Sequence, residues 1–254
     1  KTLAASCSRR PSTRDRRLAV ADSKLLHRAQ SASSGLGLLE RAALVMLAVN
    51  GHTPRTWREL LQLVSPHACP LFDGYPWYAG TDPTLPLAPE PGDLVTRANA
   101  VRGDCARQSV ECLGIFCEPL PEGHYNRLVR STRNKAVVLL GQVLQLIDRL
   151  ARIAPERHVC IHVDRLGGRT QYREALSTLF AGYELCIEEE SSGRSAYRFT
   201  SRDRTYEVDF LTDGETRHFP IALASIYSKY VREGFMRIFN DFWSKHLAGL
   251  RPTA

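Results

Sequence analysis

The feature that most constrains the fold is a long helical pattern followed directly by a strand. Residues 125–153 carry apolar side chains at the three- and four-residue spacing of a helix face that packs on a core, and Pro155 ends the pattern. His158-Val-Cys-Ile-His-Val-Asp164 follows at once, an apolar run of strand length that ends in an acid. A helix, a tight turn and a buried strand predict a parallel or mixed sheet with helices on its faces. The fold class is therefore predicted to be α/β.

The rest of the chain supplies further elements. Residues 1–17, rich in Ser and Arg, are predicted to be a flexible lead, and residues 18–254 to form a single domain. Residues 65–92 are crowded with Pro and Gly and predict a surface loop anchored to the core by aromatic side chains, although such aromatics can also stack on bases. The remaining predictions are helices over 36–48, 56–64, 169–180 and 220–242, strands over 108–119 and 183–188, and a hairpin over 195–212 that turns at Arg202-Asp-Arg.

Composition restricts the classes of function. The formal net charge of +7 favours polyanionic partners. The seven cysteines include no Cys-x-x-Cys pair, which excludes a zinc ribbon or finger and is typical of reduced thiols in the cytoplasm. The sequence shows no signal peptide and no apolar run long enough to cross a bilayer. We therefore expect a cytoplasmic monomer with no membrane partner.

Asp164 is the best single candidate for a functional residue. An acid at the carboxyl end of a buried central strand lies where open α/β sheets place their active sites. Gly167 and Gly168 follow, and two glycines without side chains let a ligand approach the backbone. The alternative is that Asp164 only caps the turn that follows it.

Residues 213–233 form a second candidate region. Asp213 and Glu215 lie on a turn, and Pro220 can occupy the first turn of the next helix. Ser225, Lys229 and Arg232 are spaced four and three apart, so they share one stripe of that helix. Carboxylates beside a basic stripe suit a site for metal ions and phosphates, whereas the plainer interpretation is a turn before a surface helix with solvated charges.

Three segments, taken in order, carry a resemblance to a known family. They are Asp22-Ser-Lys-Leu-Leu, residues 159–164, and Gly214-Glu215 with Pro220 and Leu223-Ala-Ser-Ile-Tyr-Ser-Lys-Tyr-Val-Arg-Glu233. They resemble ribonuclease HII, the type 2 ribonuclease H. That family has Asp-Ser-Lys-Lys-Leu, a strand ending in a catalytic aspartate, and Gly-Asp followed by a Pro-containing loop and Ala-Ala-Ser-Ile-Leu-Ala-Lys-Val-x-Arg-Asp. From the residues alone, Asp22 or Ser23 can equally be the cap of a helix.

The resemblance implies an RNase H-like fold, a mixed sheet flanked by helices, with acids that converge on Mg²⁺ or Mn²⁺. It implies cleavage of RNA in RNA/DNA hybrids, or incision of DNA at a ribonucleotide. Two ions about 4 Å apart would activate the water and stabilise the leaving oxygen. Asp164 and Glu215 would be catalytic metal ligands, and Lys24, Ser225, Lys229 and Arg232 would hold phosphates. Residues 51–120 would be a family-specific insertion and residues 222–254 a C-terminal helical segment.

Two departures from the family pattern leave alternatives open. The family's first acid pair lies in Asp-Glu-Ala-Gly-Arg-Gly, and nothing similar precedes Asp22, so we expect an N-terminally truncated fragment that is inactive by itself. Glu215 replaces an aspartate, so Asp213 is an alternative metal ligand. The competing hypotheses are a catalytically inactive nucleic-acid-binding protein with the same fold, and an unrelated α/β interaction domain in which Lys24 and Lys229 are solvated.

Overall fold

The protein is described here by a computed structural model, over residues 3–10, 15–28, 36–88, 93–247 and 249–253. The elements run in the order β1 (Cys7–Ser8), β2 (Leu18–Ala19), α1 (Ser23–Arg28), α2 (Gly37–Val49), α3 (Trp57–Val64), α4 (Ala68–Phe72), α5 (Leu94–Arg107), α6 (Glu122–Thr132), α7 (Lys135–Ile153), β3 (His158–Asp164), α8 (Arg173–Leu179), β4 (Glu184–Glu190), β5 (Arg194–Thr200), β6 (Thr205–Leu211), α9 (Gly214–Arg217) and α10 (Phe219–His246). They divide into two compact units, the first comprising Lys1–Pro121 with Ala222–Ala254, and the second Glu122–Ile221. The sequence predicted a single domain over residues 18–254, whereas the structure divides this range into two units.

The first unit is built around the buried helix α2. Its apolar side chains are almost fully enclosed, and the helix ends at Asn50 and Gly51 as predicted. α2 also carries Glu40, which has no exposed surface; its carboxylate accepts hydrogen bonds from the amides of Leu87 and Ala88, each at 2.6 Å, and from the Tyr230 hydroxyl at 2.8 Å. The carboxylate therefore ties α2 to α10 and to the segment before residue 89.

The described part of residues 1–17 differs from the flexible lead predicted from its composition. β1 pairs in parallel with β2, and Ser6, Cys7 and Ser8 are buried. The Ser6 amide and hydroxyl both donate to Asp104 on α5, at 3.2 and 2.7 Å. Ser6 and Asp104 lie 98 positions apart in the sequence, so the polar composition of the segment gave no indication of this contact. Residues 1, 2 and 11–14 of the predicted lead lie outside the described residues.

Aromatic side chains anchor the Pro-rich segment, as predicted for residues 65–92. Phe72 stacks on Phe235 of α10 with ring centroids 3.9 Å apart, and Trp77 packs edge-on against Phe239 at 5.7 Å. The segment also contains the short helix α4, which was not predicted. Its residues 89–92 lie outside the described residues. Core anchoring, rather than display for base stacking, is the use that the structure shows for Phe72 and Trp77.

The second unit contains a four-stranded mixed sheet in the order β3-β6-β5-β4. β4, β5 and β6 form an antiparallel meander, and β3 pairs in parallel with β6. One face of the sheet is apolar and packs against α7 and α8 around residues such as Ile147, Leu176, Phe199 and Val208. The predicted α/β class with a mixed sheet, helices on a face, and the hairpin of β5 and β6 is thus confirmed.

Two predicted elements are wrong. Residues 108–119 form no strand; the segment is irregular, beginning with Ser109 at a positive φ of 52°. The single helix expected over 125–153 is two helices, because Arg133 also has a φ of 52° and Asn134 restarts the chain as the cap of α7. The Asn134 side chain accepts from the amides of Ala136 and Val137, which supplies the helix start. Among the described residues, no helix is long and apolar enough to span a bilayer.

Candidate functional site

The parallel pairing of β3 with β6 brings the predicted acids to one edge of the sheet in the second unit. Asp164, the last residue of β3, is paired in register with Leu211, the last residue of β6. Asp213 follows two residues later, and Glu215 lies in the first turn of α9, a helix that packs against β3. Asp164 and Asp213 are exposed and Glu215 is half-buried. Residues 164, 213 and 215 therefore share the carboxyl-terminal edge of two adjacent parallel strands.

The turn between β6 and α9 is tightly determined. Asp213 has a left-handed backbone with a φ of 55°, and its carbonyl accepts from the Thr216 amide at 3.1 Å and hydroxyl at 2.8 Å. Gly214 is buried, and a Cβ at this position would lie 2.6 Å from the Cδ1 atom of Ile221. A larger residue at this position would therefore have to displace the Ile221 side chain.

These acids have the right chemistry for a hard divalent cation, but not the full geometry. Carboxylate oxygens are the preferred ligands of Mg²⁺ and Mn²⁺. In the part of the chain that the structure describes, however, Asp164, Asp213 and Glu215 belong to no group of three ligand atoms that lie within 4.8 Å of one another. As placed, the three acids do not make a complete metal site. No catalytic step is therefore assigned to a metal ion here.

The residues predicted to bind phosphates lie in the first unit. The Ser225 hydroxyl donates to the Ser23 hydroxyl at 2.8 Å, so the segments that hold Lys24 and Ser225 meet although 202 positions separate the two serines. Asp22 caps α1, because its side chain accepts from the Lys24 amide at 2.7 Å. The capping alternative is thus correct for Asp22, and it leaves the exposed Lys24 side chain on the first turn of the helix.

Lys229 and Arg232 share a carboxylate. Lys229 Nζ lies 3.0 Å and Arg232 Nη1 2.6 Å from the Oε1 atom of Glu233. Both cations lie on α10 in the first unit, as the stripe pattern predicted. Arg232 is exposed, whereas Lys229 and Glu233 are partly buried, so a phosphate that binds these cations has to compete with the Glu233 carboxylate.

The sequence interpretation missed a second set of polar groups, on the face of the sheet opposite the apolar core. β3 places His158, Cys160, His162 and Asp164 on this face, because side chains two apart point the same way. Glu207 and Asp209 of β6 lie directly opposite Cys160 and His162 in the register. The period-two alternation of His, Cys and Asp along β3 is the sequence signal for this face, and a continuous apolar run, as predicted for this strand, does not account for it.

Asp209 is the most enclosed carboxylate on this face. His162 Nδ1 lies 3.2 Å from its Oδ2 atom, and Arg194 donates to Oδ1 at 2.8 Å. Burial acts to raise the pKa of Asp209, but the adjacent His162 ring and the hydrogen bonds from Arg194 outweigh it and lower that pKa. The His162 ring in turn packs on the His218 ring, with centroids 4.1 Å apart. Arg194 and the His162 ring therefore hold Asp209 in its ionised form.

Glu207 centres a second cluster towards the other end of the two strands. His158 Nε2 lies 3.2 Å from Oε1, and the Cys160 thiol donates to Oε2 at 3.6 Å. Burial acts to raise the pKa of Glu207, but the hydrogen bonds from Cys160, His158 and Arg198 prevail and lower it. Burial and the adjacent Glu207 carboxylate raise the pKa of the Cys160 thiol. Within the described residues, His158, Cys160 and Glu207 are the group of three whose ligand atoms converge.

Two groups of residues are candidate sites: the acidic edge, formed by residues 164, 213 and 215, and the His-Cys-Glu cluster, formed by His158, Cys160 and Glu207. Comparison of the chain with models of protein families, with curated proteins and with solved structures finds no match.

Proposed function

We propose that this chain belongs to a divalent-metal-dependent endoribonuclease of the type 2 ribonuclease H kind, with an RNase H-like fold. Its substrate would be the RNA strand of an RNA/DNA hybrid or a ribonucleotide within DNA, and its metal Mg²⁺ or Mn²⁺. The observation that carries the proposal is the parallel register of β3 and β6. It sets Asp164 opposite Leu211, two residues before the turn that bears Asp213 and Glu215.

A second observation supports the same proposal within the first unit. The Asp22-Ser-Lys segment meets the Ala-Ser-Ile segment of α10 through the hydrogen bond between Ser23 and Ser225. These are two of the three segments that carry the resemblance, and they are distant in sequence. Lys24, Ser225, Lys229 and Arg232 are assigned to contacts with substrate phosphates, for which cationic and hydroxyl groups are the usual donors. The 2′-hydroxyl is the group that distinguishes the RNA strand from DNA.

Asp164, Asp213 and Glu215 can supply only part of the ligand set that the proposed activity needs. Two-metal phosphodiester hydrolysis needs several carboxylates to hold the ions. Asp164, with Glu215 or Asp213, would supply part of that set, and further carboxylates are required. Asp213→Asn and Glu215→Gln separate the two candidates, because only the variant that removes a true ligand weakens metal-dependent activity.

The decisive experiment is cleavage by the natural full-length protein of three labelled duplexes of one sequence: an RNA/DNA hybrid, DNA with one ribonucleotide, and all-DNA. We expect cleavage of the first two in Mg²⁺ or Mn²⁺, and a loss of about 100-fold or more in Asp164→Asn. Asp203→Asn is the matched control, because Asp203 is an exposed aspartate on the hairpin turn of the same unit. Undiminished cleavage in Asp164→Asn refutes the assignment.

Binding measurements separate the competing hypothesis of a non-catalytic nucleic-acid-binding protein. It predicts salt-sensitive hybrid binding with no cleavage in any divalent metal. Lys24→Glu and Lys229→Glu should each weaken binding, whereas Lys245→Glu, an exposed lysine near the end of α10, should not. If reversing the charge at positions 24 and 229 leaves hybrid affinity unchanged, both nucleic-acid proposals fail and an unrelated interaction domain is favoured.

A further inference from the structure

The His158, Cys160 and Glu207 cluster follows directly from the strand register. Residues 158 and 160 lie two apart on β3 and therefore project from the same face of the sheet. Glu207 is the residue of β6 paired with Cys160. Three different ligand atoms, an imidazole nitrogen, a sulfur and a carboxylate oxygen, thus converge from rigid, hydrogen-bonded strands.

The distances between these atoms are close to those of a tetrahedral zinc site. With zinc–sulfur bonds of about 2.3 Å and zinc–nitrogen or zinc–oxygen bonds of about 2.05 Å, tetrahedral geometry places the ligand atoms about 3.3 to 3.6 Å apart. In the structure Cys160 Sγ lies 3.6 Å from Glu207 Oε2 and 3.9 Å from His158 Nε2. His158 Nε2 lies 3.2 Å from the other carboxylate oxygen, Oε1. One ligand atom from each of the three residues lies within 4.8 Å of the other two, so a rotation of the Glu207 carboxylate and small side-chain displacements close the site.

The surroundings of the cluster favour an ion with an open coordination position. Arg198 donates to Oε1 of Glu207 at 3.3 Å, which orients the carboxylate and leaves Oε2 for a ligand. Cys160 is exposed, and the His158 side chain retains 58% of its surface, so an ion can enter from solvent. His158 and Glu207 also border a cavity lined by Arg157, Arg198 and Arg202, which gives room for a water molecule or an anion as fourth ligand.

We propose that His158, Cys160 and Glu207 bind a zinc ion with one coordination position open to solvent or to a small anion. A thiolate and an imidazole favour zinc over Mg²⁺ or Mn²⁺, which prefer oxygen ligands. This site differs in residues and in metal class from the acidic edge at Asp164. It therefore does not depend on the nuclease activity proposed above.

Cobalt(II) substitution tests the site, because a cysteine-bound cobalt ion shows a thiolate-to-metal charge-transfer band in the near ultraviolet. The full chain is reduced, freed of metal and titrated with Co²⁺ and then with Zn²⁺. We expect one equivalent of cobalt to produce the band and zinc to displace it, even in excess Mg²⁺. Cys160→Ser should abolish the band, and His158→Gln and Glu207→Gln should each weaken zinc binding by about 100-fold or more, since loss of even outer-shell partners costs 10- to 100-fold.

Cys186→Ser is the matched control. Cys186 is an exposed cysteine on β4 whose register partner is Arg198, so it lies on the same face of the same sheet. This variant should retain the band, and so should Asp164→Asn, which separates the zinc site from the acidic edge. Zinc should also raise the thermal midpoint of the wild type and not that of Cys160→Ser, whose metal-free midpoint and circular dichroism should match the wild type. Absence of the band in the wild type, or its survival in Cys160→Ser, overturns the proposal.

Discussion

The buried carboxylate of Glu40 offers the sharpest test of the first unit. Its two oxygens accept hydrogen bonds from the Leu87 and Ala88 amides and from the Tyr230 hydroxyl, and no part of the residue is exposed. Burial and the Glu40 carboxylate raise the pKa of the Tyr230 phenol, which keeps it protonated and able to donate. Glu40→Ala would leave three buried donors without an acceptor.

The expected loss of stability in Glu40→Ala follows from those three hydrogen bonds. A hydrogen bond to a charged group contributes about 1.5–3 kcal/mol, and a buried donor left without an acceptor costs about 1–3 kcal/mol. We expect Glu40→Ala to lower the free energy of unfolding by about 4 kcal/mol, and Tyr230→Phe, which removes one of the three donors, by about 2 kcal/mol. At about 2–4 °C per kcal/mol, Glu40→Ala should lower Tm by about 8–16 °C.

Tryptophan fluorescence is the appropriate assay. All three tryptophans of the chain, Trp57, Trp77 and Trp243, belong to the first unit, so their emission reports its unfolding and not that of the second unit. Trp57 also lies beside Tyr230, with ring centroids 5.9 Å apart.

Tyr227→Phe is the control for the Glu40 series. The Tyr227 hydroxyl donates to the neutral Ala43 carbonyl at 2.6 Å, so its loss should cost only about 1 kcal/mol. In the double variant Glu40→Ala/Tyr230→Phe, the total cost should be less than the sum of the two single costs, because phenylalanine leaves no orphaned hydroxyl. If Glu40→Ala costs no more than Tyr227→Phe, the carboxylate does not organise this core and the reasoning is wrong.

Three further predictions concern packing and pH. Gly234→Ala should cost about 3 kcal/mol by the same fluorescence assay, because its Cβ would lie 2.1 Å from the Trp57 ring. Gly141→Ala, on α7 with no atom near the added Cβ, should instead stabilise the second unit by up to about 1 kcal/mol, measured by thermal circular dichroism. The hydrogen bonds from Ser6 lower the pKa of Asp104, so this contact stabilises the fold above the unfolded pKa of about 3.9 and is lost as pH falls through the lower folded value. Ser6→Ala should therefore be less stable than the wild type at pH 7, and denaturant titrations should show this difference shrinking in acid; a difference that is constant with pH would contradict the assignment.

Local signals in the sequence predicted local structure well. Thr56 caps α3 by accepting from the Glu59 amide, and Pro220 lies in the first turn of α10, as their residue types indicated. The break between α6 and α7 was not predicted, because the apolar spacing continues through it. The signal for the break is Asn134, a residue type that is common at helix N-termini. Residues 108–119 alternate like a strand, but a strand also needs a partner, and alternation alone does not supply one.

The candidate sites depended on contacts that the sequence does not encode locally. Asp164 was found because it ends a strand, whereas the pairing of Cys160 with Glu207 requires the register between β3 and β6. The hydrogen bond between Ser23 and Ser225 was not predicted, since no local pattern links residues 202 positions apart. Residues on one strand can thus be grouped from sequence, and residues on neighbouring strands cannot be grouped until their order is known.

The same register makes the two ends of the β3–β6 pair chemically different and experimentally separable. The amino-terminal end presents nitrogen, sulfur and oxygen at His158, Cys160 and Glu207, and the carboxyl-terminal edge presents the carboxylates of Asp164 and of the turn after β6. Soft and borderline ions should select the first end and hard ions the second. Because backbone hydrogen bonds hold both strands, a conservative change such as Cys160→Ser should leave the position of Asp164 unaltered. A loss of cobalt binding in Cys160→Ser without a change in the proposed nuclease activity, or the reverse in Asp164→Asn, is therefore the result that two independent sites require.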